Sequence, residues 1–439
     1  MSLATFLGGV HPFDGKSLSK DSEIREIMPG EELVFPVSQH IGAPAVPIVA
    51  VGDQVLAGQK IAEANGFVSA NIHTSVSGTV KAIEPRMTFS GNKVMSIVIT
   101  NDGEYKEAEP MDVSASYTEL SNEQILEKIK EAGIVGMGGA GFPTHVKLAP
   151  KEPDKVDTII ANCAECEPYL TSDYRRMMET PEKLIDGMKI VLQLFPQAKG
   201  VFAIEDNKMD CVLKLEKLAK QEERMEVKVL QTKYPQGSER QLIYAVTKRK
   251  IHSRMLPADA GCIVQNVDTL TAIGQAVIEG KPLTSRIVTV TGDGAASPCN
   301  LKVPIGMSYA EVIEEAGGLK GEPEKIISGG PMMGFALFST DVPVMKGSSA
   351  ILAMTKDEIS AMEPTACINC GRCMQACPQN LIPGMLADFA DKGKEEKFLS
   401  HYGMECVECG CCSYACPAKR HLTQSIRTMR KIQLAKRKK

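Results

Sequence analysis

Cys367-Ile-Asn-Cys370-Gly-Arg-Cys373-Met-Gln-Ala-Cys377-Pro378 and Cys406-Val-Glu-Cys409-Gly-Cys411-Cys412-Ser-Tyr-Ala-Cys416-Pro417 are two complete C-x2-C-x2-C-x3-C-P runs. Three thiolates at this spacing wrap three corners of a [4Fe-4S] cubane. The fourth reaches elsewhere, and where two such runs occur it ligates the other cluster. The expected ligand sets are therefore Cys367, Cys370, Cys373 and Cys416 for one cluster, and Cys377, Cys406, Cys409 and Cys412 for the second. Cys411 is left over as a packed thiol. Zinc ribbons are the alternative, but they use paired C-x-x-C knuckles rather than four cysteines in eleven residues ahead of a proline. The 28 residues between Cys377 and Cys406 include Asn380-Leu-Ile-Pro-Gly-Met-Leu-Ala-Asp-Phe-Ala390, which reads as helical. An α-helical ferredoxin-like two-cluster domain is expected over 355–425.

The rest of the chain is bounded by this reading. A cluster pair moves only single electrons, so the other residues must supply or accept them. At 439 residues there is room for about two to four domains. Nine of the 14 cysteines lie between Cys367 and Cys416; Cys163, Cys166, Cys211, Cys262 and Cys299 are scattered. The start, Met1 to Lys16, has neither the basic end nor the apolar run of a signal peptide, and no stretch approaches a membrane-spanning length. A reducing cytoplasm is expected, where clustered cysteines bind metal or do redox chemistry. Net charge is −4, aromatics make up 5% and Trp is absent, which argues against nucleic-acid binding.

Working back from the cysteines, the chain reads as an α/β multidomain protein. Residues 1–40 form a mixed N-terminal segment. Residues 41–100 are short β runs punctuated by Gly, as in a barrel-sandwich. Their pattern, with Val51-Gly-Asp-Gln-Val55 and Ser77-Gly-Thr-Val80, resembles a biotinyl/lipoyl-type module. No lysine stands at its tip, Ala70-Asn-Ile-His-Thr74, so packing or docking is expected rather than a prosthetic group. After an acidic, Ser-rich linker (101–120), Ser121-Asn-Glu-Gln124 is a capping box opening a helix that ends at Gly133. Apolar strand candidates then alternate with helices, as in a Rossmann-like α/β domain over 120–280. Over 285–345, a strand, a helix opened by the Ser308-Tyr-Ala-Glu311 box and another strand suggest a β-grasp module of the SLBB type.

Two segments of the α/β domain carry candidate chemistry. Gly136-Met-Gly138-Gly139-Ala140-Gly141-Phe142 contains G-x-G-x-x-G, yet a helix rather than a strand precedes it, so it is not the usual dinucleotide turn. Either it is a tight loop without a ligand, or its glycines let the backbone approach a flat or anionic group, with Lys147 offering charge to a phosphate. Asn162-Cys-Ala-Glu165-Cys-Glu167-Pro168 follows a strand, where open parallel sheets bind ligands. Acidic neighbours of Cys163 and Cys166 argue against a reactive dithiol.

These two segments resemble the flavin- and NADH-binding parts of the NADH-oxidising subunit of respiratory complex I. Together with Gly9-Val-His-Pro-Phe-Asp-Gly-Lys16, the lipoyl-like stretch, the β-grasp segment and the two cysteine runs, they make the chain similar to the RnfC family of the Rnf ion-translocating oxidoreductases over about 5–420. The resemblance implies FMN, two [4Fe-4S] clusters and NAD(H) as substrate. It implies a peripheral subunit on the cytoplasmic side of the cell membrane, bound to the other Rnf subunits and reaching ferredoxin through them. Gly136, Gly138, Gly139, Ala140, Gly141 and Phe142 would line the flavin and Lys147 would reach its phosphate side. Asn162 would meet the FMN, and Glu165 and Glu167 would lie near the nicotinamide or ribose. Tyr234-Pro-Gln-Gly-Ser-Glu-Arg240 resembles another loop of that pocket. Hydride exchange needs no side-chain acid or base, so no catalytic residue is expected. The rivals are a soluble flavin/Fe-S reductase such as a cobalamin reductase, and a non-enzymatic Fe-S scaffold. The tail, 426–439, has seven basic residues between Arg427 and Lys439 and reads as a solvated helical end or as an attachment to an anionic surface.

Overall fold

The computed structural model describes residues 3–437 apart from 114. Lys438 and Lys439 of the basic tail therefore lie outside the described residues, as do Met1 and Ser2.

At the centre, four parallel strands stand in the order Met225–Leu230, Lys199–Glu205, Thr158–Cys163, Cys262–Asn266. Near-continuous runs such as Thr158-Ile-Ile-Ala161 suit a sheet covered on both faces. One cover is the helix pair Pro181–Leu194 and Val267–Ile278, in contact along their length. Gly187 permits the approach, because a Cβ there would stand 1.9 Å from the Leu270 carbonyl oxygen.

The lipoyl-like module is a sandwich of two small antiparallel sheets. Strands Glu32–Pro36, Lys93–Asn101, Gly78–Met87 and Gln54–Val55 make one; Val46–Pro47, Lys60–Glu63 and Ile72–His73 make the other. Its tip is buried: Asn71 Nδ2 donates to Lys130 O at 3.3 Å, and the Lys346 ammonium donates to the carbonyls of Asn71 and Gly133. The tip thus packs on the end of the helix Asn122–Glu131, whose Ser121 capping box is formed.

The β-grasp module is a mixed sheet in the order Ile24–Glu26, Cys299–Pro304, Ser285–Thr291, Ala350–Met354, Lys325–Ser328, Phe335–Ala336. Helix Tyr309–Glu315, opened by the Ser308 box, covers it through Val312 and Ile313. The segment 1–40 is divided among its neighbours: Ala4 bridges to Leu230, Val10 to Tyr234, Ile24–Glu26 extends the β-grasp sheet, and Glu32–Pro36 belongs to the sandwich. A buried triad ties the α/β domain to the β-grasp module: Asp268 lies 2.8 Å from Arg176 and 2.7 Å from Arg286. Removing its charge leaves the buried Arg286 and the half-buried Arg176 without their nearest counter-charge. Asp268→Asn should therefore cost about 3 kcal/mol, seen as an earlier urea unfolding midpoint; an unchanged midpoint would show that the triad stabilises nothing.

The C-terminal domain is helical, with Pro383–Asp391 and Leu422–Arg437 packed together around Leu386, Phe398, Ile426 and Met429. Residues 426–437 of the basic tail are the outer part of that last helix. Arg427 and Arg430 both pair with Glu408, and Lys436 pairs with Glu395. Among the described residues no helix is long and apolar enough to cross a membrane.

Candidate functional site

The carboxyl ends of the four parallel strands gather most of the candidate residues, as the sheet topology requires. Asn162 and Asn266 are paired in register on adjacent strands at that edge. Asn162 Nδ2 donates to Gly237 O at 2.8 Å, which fixes the loop 234–238 beside it. Asn266 caps the helix Val267–Ile278, with its Oδ1 accepting from Asp268 N at 2.9 Å.

The glycine loop hangs over this edge. It leaves the helix through Gly133, whose φ of 66° favours glycine, and closes at its base through Gly136 N–H to Phe142 O at 2.9 Å. Gly138, Gly139 and Ala140 are exposed at its tip. A Cβ on Gly138 would stand 2.8 Å from Asn266 Nδ2, whereas one on Gly139 would meet nothing within 4 Å. The loop therefore presents bare backbone to open space beside two asparagine amides. That arrangement fits a flat, polar-edged group such as an isoalloxazine.

The other expected residues are placed differently. Lys147 Nζ lies 2.9 Å from Glu239. Glu165 Oε1 accepts the Asp173 amide at 2.7 Å, capping the helix Ser172–Glu179, and its Oε2 is 3.8 Å from the buried Lys16 ammonium. Glu167 Oε1 accepts the amides of Met332 and Met333 at 2.7 and 3.1 Å, holding the β-grasp module against the site. Burial pushes both carboxyl groups above the usual range. Cys163 is fully buried and Cys166 Sγ accepts from Gly237 N; burial first, then acidic neighbours, pushes both thiols well up, which makes a reactive dithiol unfavourable.

Asn266 and Asp173 were not among the sequence candidates. Asn266 carries a legible signal, since Asn ending a parallel strand and opening an apolar helix is both an N-cap and an edge residue. Asp173 lies in the same unusual segment, 162–176, but nothing local singles it out, because Asn266, Asp268 and Arg286 come from distant parts of the chain. Asn266 Nδ2 donates to Asp173 Oδ2 at 2.8 Å.

In the helical domain, Cys377, Cys406, Cys409 and Cys412 line one cavity, together with Pro378, Leu381, Val407 and Ile426. One thiol comes from the first run and three from the second. Leu381 N–H points to Cys377 Sγ at 3.4 Å and Glu408 N–H to Cys406 Sγ at 3.3 Å; such bonds tune cluster potentials. Burial pushes the Cys406 thiol up to about 12 and that of Cys412 up to about 11, so they ionise on metal binding rather than before it. Cys411 borders the same cavity, but its Sγ is turned to the Tyr234 carbonyl at 3.8 Å. Thr365 N–H to Ala418 O at 3.0 Å sets the start of the first run beside the end of the second, and Arg420 reaches Cys367. Cys367 and Cys370 are exposed. These four cysteines share one apolar-walled cavity, and thiolates are the donors a [4Fe-4S] cluster uses, although among the described residues the side chains are not drawn together as around a bound metal ion.

Tyr234 joins the two sites. Its hydroxyl donates to Cys409 O at 2.8 Å, and three residues on, Gly237 is held by Asn162. Arg240 to Glu405 at 3.0 Å and Gln241 to Pro378 O at 3.3 Å reinforce the contact.

Four family models match consecutive parts of the chain: the RnfC barrel sandwich hybrid domain over 4–104, the Nuo51 FMN-binding domain over 129–275, the SLBB domain over 287–336 and the 4Fe-4S dicluster domain over 366–419. FMN and [4Fe-4S] clusters are thus the cofactors of this chain. A solved NAD+-reducing [NiFe]-hydrogenase in the H2-reduced state shares the fold, with a TM-score of 0.51 at 17% identity over 74% of this chain and 62% of that longer one. Among curated relatives, the chain is 45% identical to the C subunit of the Na(+)-translocating ferredoxin:NAD(+) oxidoreductase complex of Acetobacterium woodii, over 99% of this chain and 98% of the relative. It is 47% identical to the C subunit of the proton-translocating ferredoxin:NAD(+) oxidoreductase complex of Clostridium ljungdahlii, over 98% and 94%. With such identity over nearly its whole length, the chain belongs to the RnfC family, the C subunits of ion-translocating ferredoxin:NAD(+) oxidoreductase complexes.

Proposed function

We propose that this subunit exchanges hydride with NAD(H) at the edge formed by residues 136–142, Asn162 and Asn266, and relays single electrons through an inner and then an outer cluster to a partner subunit. Flavin, when bound, converts between the two-electron hydride and single electrons. The glycine loop and the two asparagines hold its ring system, and Lys147 exchanges Glu239 for its phosphate. Glu165 and Glu167 act through the backbone they fix, shaping the wall that the nicotinamide meets.

The observation that carries this reading is the loop 234–241. It touches Asn162 through Gly237 and Cys409 through Tyr234, so the cluster on Cys377, Cys406, Cys409 and Cys412 is the inner one. Cys367 and Cys370 lie exposed on the far set, where an external electron partner can approach. The ion path lies in other subunits, and the two relatives are named for different ions at nearly equal identity to this chain. The subunit sits on the cytoplasmic side of the membrane, where NAD(H) and ferredoxin are available, with ferredoxin engaged through other subunits.

Detergent-solubilised membranes test the assembly. The chain should co-purify with integral membrane subunits. Recovery only as a free flavoprotein would favour a soluble reductase instead.

A further inference from the structure

Hydride delivery poses a charge problem that the site must solve. A hydride brings two electrons and one proton, so the ring system that receives it gains one negative charge. The first electron to leave for the clusters removes that charge, and the second leaves together with the proton that the hydride brought. In a half-buried site an uncompensated charge is costly, and a proton taken from solvent by a nearby group removes the cost.

Asp173 is placed to be that group. It lies in the first turn of the helix Ser172–Glu179, half-buried, with its Oδ2 2.8 Å from Asn266 Nδ2. The same Asn266 amide occupies the space against Gly138 in the glycine loop. One side chain therefore separates Asp173 from the backbone that would cradle the flavin. The charged groups facing it come from several elements: Glu165 from the preceding loop, Asp268 from the helix Val267–Ile278, and Arg286 from the β-grasp strand Ser285–Thr291. The buried thiol of Cys163 feels it from the central strand, and Lys16 reaches it only through Glu165.

These groups are not equally free to respond. Asp268 is held by two arginines and its carboxyl is kept below the usual range. Glu165 is engaged by two backbone amides and lies near Lys16. Asp173 has the asparagine amide and a distant share of Arg286. Burial first, then Glu165 and Asp268, pushes its carboxyl up to about 8. Its proton occupancy is thus poised to change when one more negative charge arrives nearby.

We propose that Asp173 is a redox-linked proton site: its carboxylate takes a proton from solvent as the hydride enters, and returns it as the two electrons leave for the clusters. In the first event a solvent O–H bond breaks and one forms on Asp173. In the second, Asp173 returns that proton to solvent, and the ring N–H bond made by the hydride breaks as its second electron leaves, that proton also passing to solvent. The hydride supplies both electrons, the clusters accept one each, and no other oxidant or reductant is needed. The role rests on the flavin placement proposed above. Asp173 acts through its charge and through Asn266, as a positioning and compensating residue.

The test is a redox-difference infrared spectrum of the cluster-loaded, FMN-bound chain at about pH 8.5, reduced by NADH. The wild type should gain a protonated-carboxyl band on reduction and lose it on reoxidation. Asp173→Asn, with FMN and both clusters retained, should lack the band, and its flavin potential should lose the change in pH slope near the carboxyl's titration. An unchanged band in the variant would overturn the proposal. So would the absence of any carboxyl band in the wild type between about pH 7 and 9, whatever the variant does. A wild-type chain that binds no FMN would overturn the flavin placement and this role together, and flavin content measured beforehand separates the two failures.

Discussion

Replacing Cys377 with Ala should take the iron content of the reconstituted chain from about eight to about four per chain, and the signal lost should be that of the inner cluster. The reason is geometric. Cys377 closes the first run in sequence, yet it lines a cavity with Cys406, Cys409 and Cys412 of the second. A reading by sequence proximity would instead assign Cys377 to the cluster of Cys367, Cys370 and Cys373. The two readings separate in a double replacement. If Cys377 and Cys406 serve one cluster, removing both should cost no more iron than removing either. If they serve different clusters, the double variant should hold almost none. Cys411→Ala is the control: its thiol borders the cavity but faces the Tyr234 carbonyl, so both clusters should persist. Loss of a cluster in that control would show that Cys411, not one of the four, is a ligand.

The second large effect is a loss of stability in acid that passes through His73. This imidazole is buried in the sandwich on the strand Ile72–His73, its Nδ1 has no hydrogen-bond partner among the described residues, and Lys346 and Lys60 lie nearby. Burial first, then these cations, lowers its folded value from 6.5 to about 3. Between those values the unfolded chain holds the proton and the folded chain does not. The contribution is therefore complete above about pH 6.5 and is lost progressively as pH falls. At pH 5 the loss should reach about 2 kcal/mol. Unfolding by guanidinium at a series of pH values should show the wild type falling more steeply than His73→Gln between about pH 6.5 and 5. Damage to the clusters in acid affects both proteins alike and cancels in the comparison. Parallel curves would show that His73 is not held neutral by the fold.

Features written in short-range spacing were legible in the sequence. The two cysteine runs, the capping boxes at Ser121 and Ser308, and the alternation of strands and helices each depend on residues within a few positions of one another. What escaped depends on partners far along the chain. The N-terminal forty residues looked unassigned because Ala4 pairs with Leu230 and Ile24 with Asn300, and short edge pairings of this kind leave no local period. The basic tail looked free because Glu408 and Glu395, which engage Arg427, Arg430 and Lys436, lie in separate elements. At the site, Glu165 and Glu167 drew notice as carboxylates after a strand. Their oxygens turn to backbone amides, and only the fold brings Asn266 against the glycine loop with Asp173 behind it.

That one chain connects NAD(H) to both clusters through its flavin is the core of the proposed function. It is tested most directly by reducing the FMN-bound, cluster-loaded chain anaerobically, removing the reductant, and adding NAD+ while following the clusters by EPR. The signals of both reduced clusters should disappear as NADH forms, at two electrons per NADH. Clusters that stay reduced in the presence of NAD+ and bound FMN would contradict it.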